Sequence, residues 1–162
     1  MSVVPREAPQ QTRSRSAIQA VGVFLIFIVV GPAIAALLAI AILPLFGITS
    51  LAADIEGFIH GIGQLMAASY VLGGLQMAAI GLFAAIWHLV MGKPTISLLL
   101  ILAVSLAVAA VAIIIFTEPF SMPAPHPAIV AAAVALHVGG AIGSALIANA
   151  FLRRQQTRAV AS

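Results

Sequence analysis

The groups in this 162-residue chain best suited to ligand or proton chemistry are its four histidines and three of its acidic residues. His60 and His126 stand at the edges of long apolar runs, close in sequence to Asp54, Glu56 and Glu118. Imidazole nitrogen and carboxylate oxygen are donors for Zn²⁺ or Cu²⁺, so these five form a candidate metal-binding set. No pair of them has the tight spacing of an HxxxH site, and the plainer reading is a solvated acidic rim. His88 and His137 lie inside apolar runs. Each has an alanine one helical turn earlier, Ala84 and Ala133, which leaves room for a flat macrocycle such as haem or a pigment. His60 and His88 would be about 42 Å apart on one helix and cannot share an iron. Gln76 and His137 are the deepest polar side chains. They read either as the lining of a site for a polar ligand or quinone, or as hydrogen-bonded glue between helices at about 0.6 kcal/mol each.

Other chemistry is excluded by what the chain lacks. It has no cysteine, hence no disulfide, thiolate metal site or Cys nucleophile. The apolar runs hold no Asp, Glu, Lys or Arg, and proton-coupled pumps keep an ionisable group at that depth. There is no phosphate-binding glycine loop, no Ser/His/Asp arrangement and no aromatic-basic patch for nucleic acid. No catalytic residue stands out, and no cofactor is specified.

The elements that must position these groups follow from composition. The chain is 63% hydrophobic and 7% charged, with a mean hydropathy of +1.22, too apolar to cover a globule in water. It reads as an all-α integral membrane protein, a four-transmembrane-helix bundle. The expected spans are about 17–43, 61–91, 95–116 and 127–152, within one membrane domain over 17–152. Polar tails flank it: 1–16, expected to be disordered, and 153–162. The first tail resembles a signal-peptide n-region, but its apolar run continues to Phe46, so the helix is expected to be retained. Gly31-Pro32 predicts a kink in the first span. Residues 48–59 suggest a short helix lying flat at the interface. An unbroken helix over 50–91 would be about 63 Å long, so a break is expected near Gly57, Gly61 or Gly63. Gly92-Lys93-Pro94 predicts a tight turn, with Thr95 capping the third span.

Charge sets the orientation. Arg6, Arg13, Arg15, Lys93, Arg153, Arg154 and Arg158 are all the Lys and Arg residues, and all fall in the two tails or the middle turn. The positive-inside rule then places both termini in the cytoplasm of a cell inner-membrane protein.

Small residues set the expected packing. Read in sevens, His60, Ala67, Gly74, Gly81 and His88 form one seam, and Ala131, Ala135, Gly139 and Gly143 recur every four residues. Such ridges admit close helix approach in lipid. A shift of 66 residues lays His60 on His126, Ala67 on Ala133, and Gly73-Gly74 on Gly139-Gly140. Two parallel hairpins would then bring spans two and four face to face at the bundle centre. The first expectation of function is association: a homo-oligomer, or an accessory subunit of a larger membrane complex, in contact with the lipid bilayer and other membrane chains. A transporter or channel lined by Gln76, His137 and the kinked first span is the second. A haem-, pigment- or quinone-associated protein using His88 or His137 is the third.

Overall fold

A computed structural model describes the backbone of residues 9–42, 55–93, 95–117 and 127–161, with side chains within 16–42, 69–70, 73–93, 95–112, 114 and 130–158. The described residues are all-helical apart from the α2–α3 turn and form four helices: α1 (Pro9–Ile42), α2 (Ile55–Met91), α3 (Leu98–Thr117) and α4 (Pro127–Ala161). Three contain stretches long and apolar enough to cross a membrane: Ser16–Ile42, Gly73–Met91 and Val130–Arg158. The corresponding apolar stretch of α3, Leu98–Ala112, is shorter.

The helices run past the expected boundaries. α1 begins at Pro9, a residue whose fixed φ suits a first helical turn, and carries the polar residues 9–16 as helix rather than as disordered tail. α4 continues through Arg153, Arg154 and Arg158 to Ala161. α2 is unbroken from Ile55, so Gly57, Gly61 and Gly63 are helical, and residues 55–59 belong to α2 rather than to a separate flat helix. The expectation of a break rests on length alone. A glycine in a helix forgoes side-chain packing but keeps its backbone hydrogen bond, so length cannot force a break there.

The helices form a ring. α1 packs on α2 and α4, and α3 packs on α4 and α2; α2 and α4 barely touch across the middle. The expected α2–α4 centre is therefore corrected: α1 sits between α2 and α4 and packs on both. Its large side chains fill the notches that small residues leave. A Cβ on Gly81 of α2 would stand 2.7 Å from Phe27 Cβ. On α4, a Cβ on Gly139 would meet Leu38 Cδ1 at 2.5 Å, and one on Gly143 would meet Ile34 Cδ1 at 2.6 Å. Phe27, Met77, Ile80, Ile101 and Leu152 are fully buried at this junction.

The closest backbone approach is between Gly31 of α1 and Gly140 of α4. A Cβ on Gly140 would lie 2.7 Å from the Gly31 carbonyl oxygen. Ser144 returns its hydroxyl to the Gly140 carbonyl at 2.9 Å, so its polarity is satisfied on its own helix. The Gly139-Gly140 pair is thus enclosed, whereas a Cβ on Gly73 or Gly74 would meet nothing within 4 Å. The two glycine pairs related by the 66-residue shift have opposite surroundings.

One end of the bundle is closed by the turn between α2 and α3. Gly92 ends α2 at φ 61°, and its N–H donates to the His88 carbonyl at 3.0 Å, a left-handed C-cap that favours glycine. Ser97, rather than Thr95, caps α3: its hydroxyl accepts from the Leu100 N–H at 3.5 Å. Ile96 enters the core, and Asn149 of α4 holds its backbone. Lys93, Arg153, Arg154 and Arg158 lie exposed toward this end.

Candidate functional site

Beside Pro32 of α1 a cavity of about 290 Å³ opens between α1, α2 and α4. Pro32 supplies its wall on α1, Ser69, Gly73, Gln76 and Met77 on α2, and His137 on α4. Among the described residues α3 contributes nothing to the lining.

Pro32 lies inside the continuous helix α1 and has no N–H to donate. Beside it the Tyr70 hydroxyl of α2 donates to the Val29 carbonyl, one turn before Pro32. Gly31 packs against the Met77 side chain and Ser144, while beyond Pro32 the small residues Ala35 and Ala39 leave space. Gly73 faces that space without a side chain to fill it.

Two polar side chains of different helices thus share one chamber, Gln76 and His137. Gln76 is half-buried and His137 is 93% buried, its exposure being 7%. The His137 Nε2 atom is buried and has no hydrogen-bond partner. Buried polar atoms are otherwise nearly always paired, so this nitrogen is an exception in the wall of the chamber. The amide of Gln76 offers two donors and an acceptor, and neutral imidazole offers one of each. The arrangement can orient a hydrogen-bonding molecule; it assembles no nucleophile with a base.

His88 is in a different situation. Its Nδ1 donates to the Lys93 carbonyl at 2.9 Å, and its Nε2 faces the Gln19 side-chain oxygen at 3.4 Å. Ala84, one turn earlier, is fully buried in the core, so the space expected there for a macrocycle is filled. His88 ties α1, α2 and the turn together. His137 lies about 18 Å further along the bundle from the Asn149 level, so the two histidines do not converge.

The expected metal set falls elsewhere. Asp54, Glu118 and His126 lie outside the described residues, as do the side chains of Glu56 and His60 on α2. Among the described residues no three His, Cys, Asp or Glu side chains group to hold a metal ion. Of the expected packing residues, Gly81, Gly139 and Gly143 contact α1, Ala135 is exposed, Gly74 faces open space, and the Ala67 side chain lies outside the described residues.

Sequence reasoning missed Gly73 and Met77 as lining residues and the Asn149 clamp on Ile96. Asn149 was legible only as a polar residue near a helix end; nothing in its neighbours names Ile96. No protein-family model, no curated protein and no solved structure matches this chain.

Proposed function

We propose that this chain is a four-span inner-membrane protein, both termini cytoplasmic, that receives a small molecule in the chamber between α1, α2 and α4 and carries it or presents it within the bilayer. The observation that carries this reading is the chamber itself, lined by Gln76 of α2, His137 of α4 and Pro32 of α1. The orientation is supported by the placement of all seven Lys and Arg residues in the tails and the α2–α3 turn. The chamber volume lies at the lower limit of small-molecule pockets, roughly 300–1,000 Å³, which favours a compact molecule or head group over a macrocycle.

The test works with a ligand of any identity. Gly73→Leu places a side chain into open space in the chamber, whereas Ala79→Leu adds the same bulk on an exposed position of α2. Each protein is purified from its native membrane, extracted with organic solvent, and the small molecules released are compared by mass spectrometry. A compound should accompany wild type and Ala79→Leu and fall about tenfold or more in Gly73→Leu and His137→Ala. Identical extracts from all four proteins refute the reading.

Association is the second reading, and one observation favours it. Gly74 and Ala135 remain uncovered after the other small residues have been filled by α1. A homo-oligomer or a larger complex would use this remainder, and particle size in mild detergent that drops with Gly74→Leu would support it.

A further inference from the structure

We infer that the chamber selects an uncharged molecule with a hydrogen-bonding end and an apolar body, and rejects ions of either sign. This rests on the reading that the chamber binds a ligand, and it names the class.

Among the described residues no charged side chain lines the chamber. No Asp, Glu, Lys or Arg occurs in residues 16–53, 57–92, 94–117 or 119–152, the segments that contain all the lining residues. A bound ion would have no fixed countercharge among the described residues. His137 is twelve residues, about 18 Å, along α4 from the polar turn end at Asn149.

Polarity is concentrated in groups that both give and accept hydrogen bonds. The Gln76 amide, the His137 imidazole and the Ser69 hydroxyl each have donor and acceptor capacity. A neutral amide, carbonyl or hydroxyl matches them in either sense. The rest of the lining, with Pro32 and Met77 at its core, offers only apolar surface.

The experiment uses three probes of one shape: naphthamide, naphthoate and naphthylmethylammonium, neutral, anionic and cationic at neutral pH. Binding to the full chain in lipid nanodiscs is measured by equilibrium dialysis, with Gly73→Leu as the blank for partition into lipid. Naphthamide should bind saturably, lose about tenfold or more in affinity in Gly73→Leu and weaken in His137→Ala, while both ions bind about tenfold or more weakly. An ion that binds as tightly as naphthamide and is displaced by Gly73→Leu overturns the class while leaving the chamber as a site. No saturable difference between wild type and Gly73→Leu for any probe overturns the chamber reading, and the inference with it.

Discussion

Asn149 pairs with both backbone groups of Ile96. The Ile96 N–H donates to Asn149 Oδ1 at 2.6 Å, and Asn149 Nδ2 donates to the Ile96 carbonyl at 3.0 Å. A side-chain amide has the same donor and acceptor as a peptide unit, so Asn149 closes the turn as a neighbouring strand would. The bonds join α4 to the segment before α3, and Ile96 beside them is 2% exposed.

Replacing Asn149 by Leu should therefore leave two backbone groups unpaired and cost on the order of 1–3 kcal/mol. Asn149→Asp keeps an acceptor for the Ile96 N–H and loses the donor to its carbonyl, so it should fall between Leu and wild type. Reversible unfolding in mixed micelles measures both. A Leu variant as stable as wild type would show that the clamp contributes nothing.

His88 grips the same turn through Lys93, so its removal should not add independently to the loss of Asn149. The double variant His88→Leu/Asn149→Leu should be less destabilised than the sum of its singles, by about 0.5 kcal/mol or more. Simple additivity would mean that the two side chains hold separate structures.

Gly140 and Gly74 provide a matched pair. A methyl on Gly140 has to push the Gly31 carbonyl away, and overpacking of this kind costs about 1–3 kcal/mol. A methyl on Gly74 meets nothing, and the better helix propensity of alanine should leave the monomer unchanged or slightly more stable. The same unfolding measurement ranks them, and the reverse order would contradict the close approach of α1 and α4.

Tyr70→Phe removes the donor to the Val29 carbonyl beside Pro32 and nothing else. The expected loss is about 0.5–1.5 kcal/mol in unfolding free energy. Binding of the chamber ligand should weaken in parallel, because the bond ties α2, which carries Gly73 and Gln76, to α1 beside Pro32. Unchanged stability and unchanged binding would separate the tyrosine from the chamber.

Orientation can be read with single cysteines, because the chain has none of its own. Cysteines at Thr95 and Thr157 should both react with a membrane-impermeant maleimide from the cytoplasmic side only. Labelling of the two from opposite sides would break the four-span topology.

The helical elements are legible because long apolar runs punctuated by Gly-Pro and Gly-Lys-Pro leave few alternatives. Gln76 and His137 stand out in the sequence as the deep polar side chains, and both line the chamber. Which helix sits between α2 and α4 is not legible. In a water-soluble bundle an amphipathic stripe marks the buried face, but in lipid the exposed face is as apolar as the core. Leu75 at 82% exposed and Ile80 at 0% exposed are indistinguishable in the sequence. Small residues show where helices approach but not which partner arrives, so Gly81 and Gly139 point to an α2–α4 contact when both in fact receive α1.

The place of α1 also bears on how the protein is made. Of the four described helices α1 is made before the others, yet its neighbour α4 is made after them, and the two meet at Gly31 and Gly140. While α2 and α3 are being made, the face of α1 that will hold Ile34 and Leu38 has no α4 to pack on. The contact of α1 with α4 therefore forms only after all four helices exist. A chain halted before α4 would be inserted but unfinished, a natural substrate for membrane quality control.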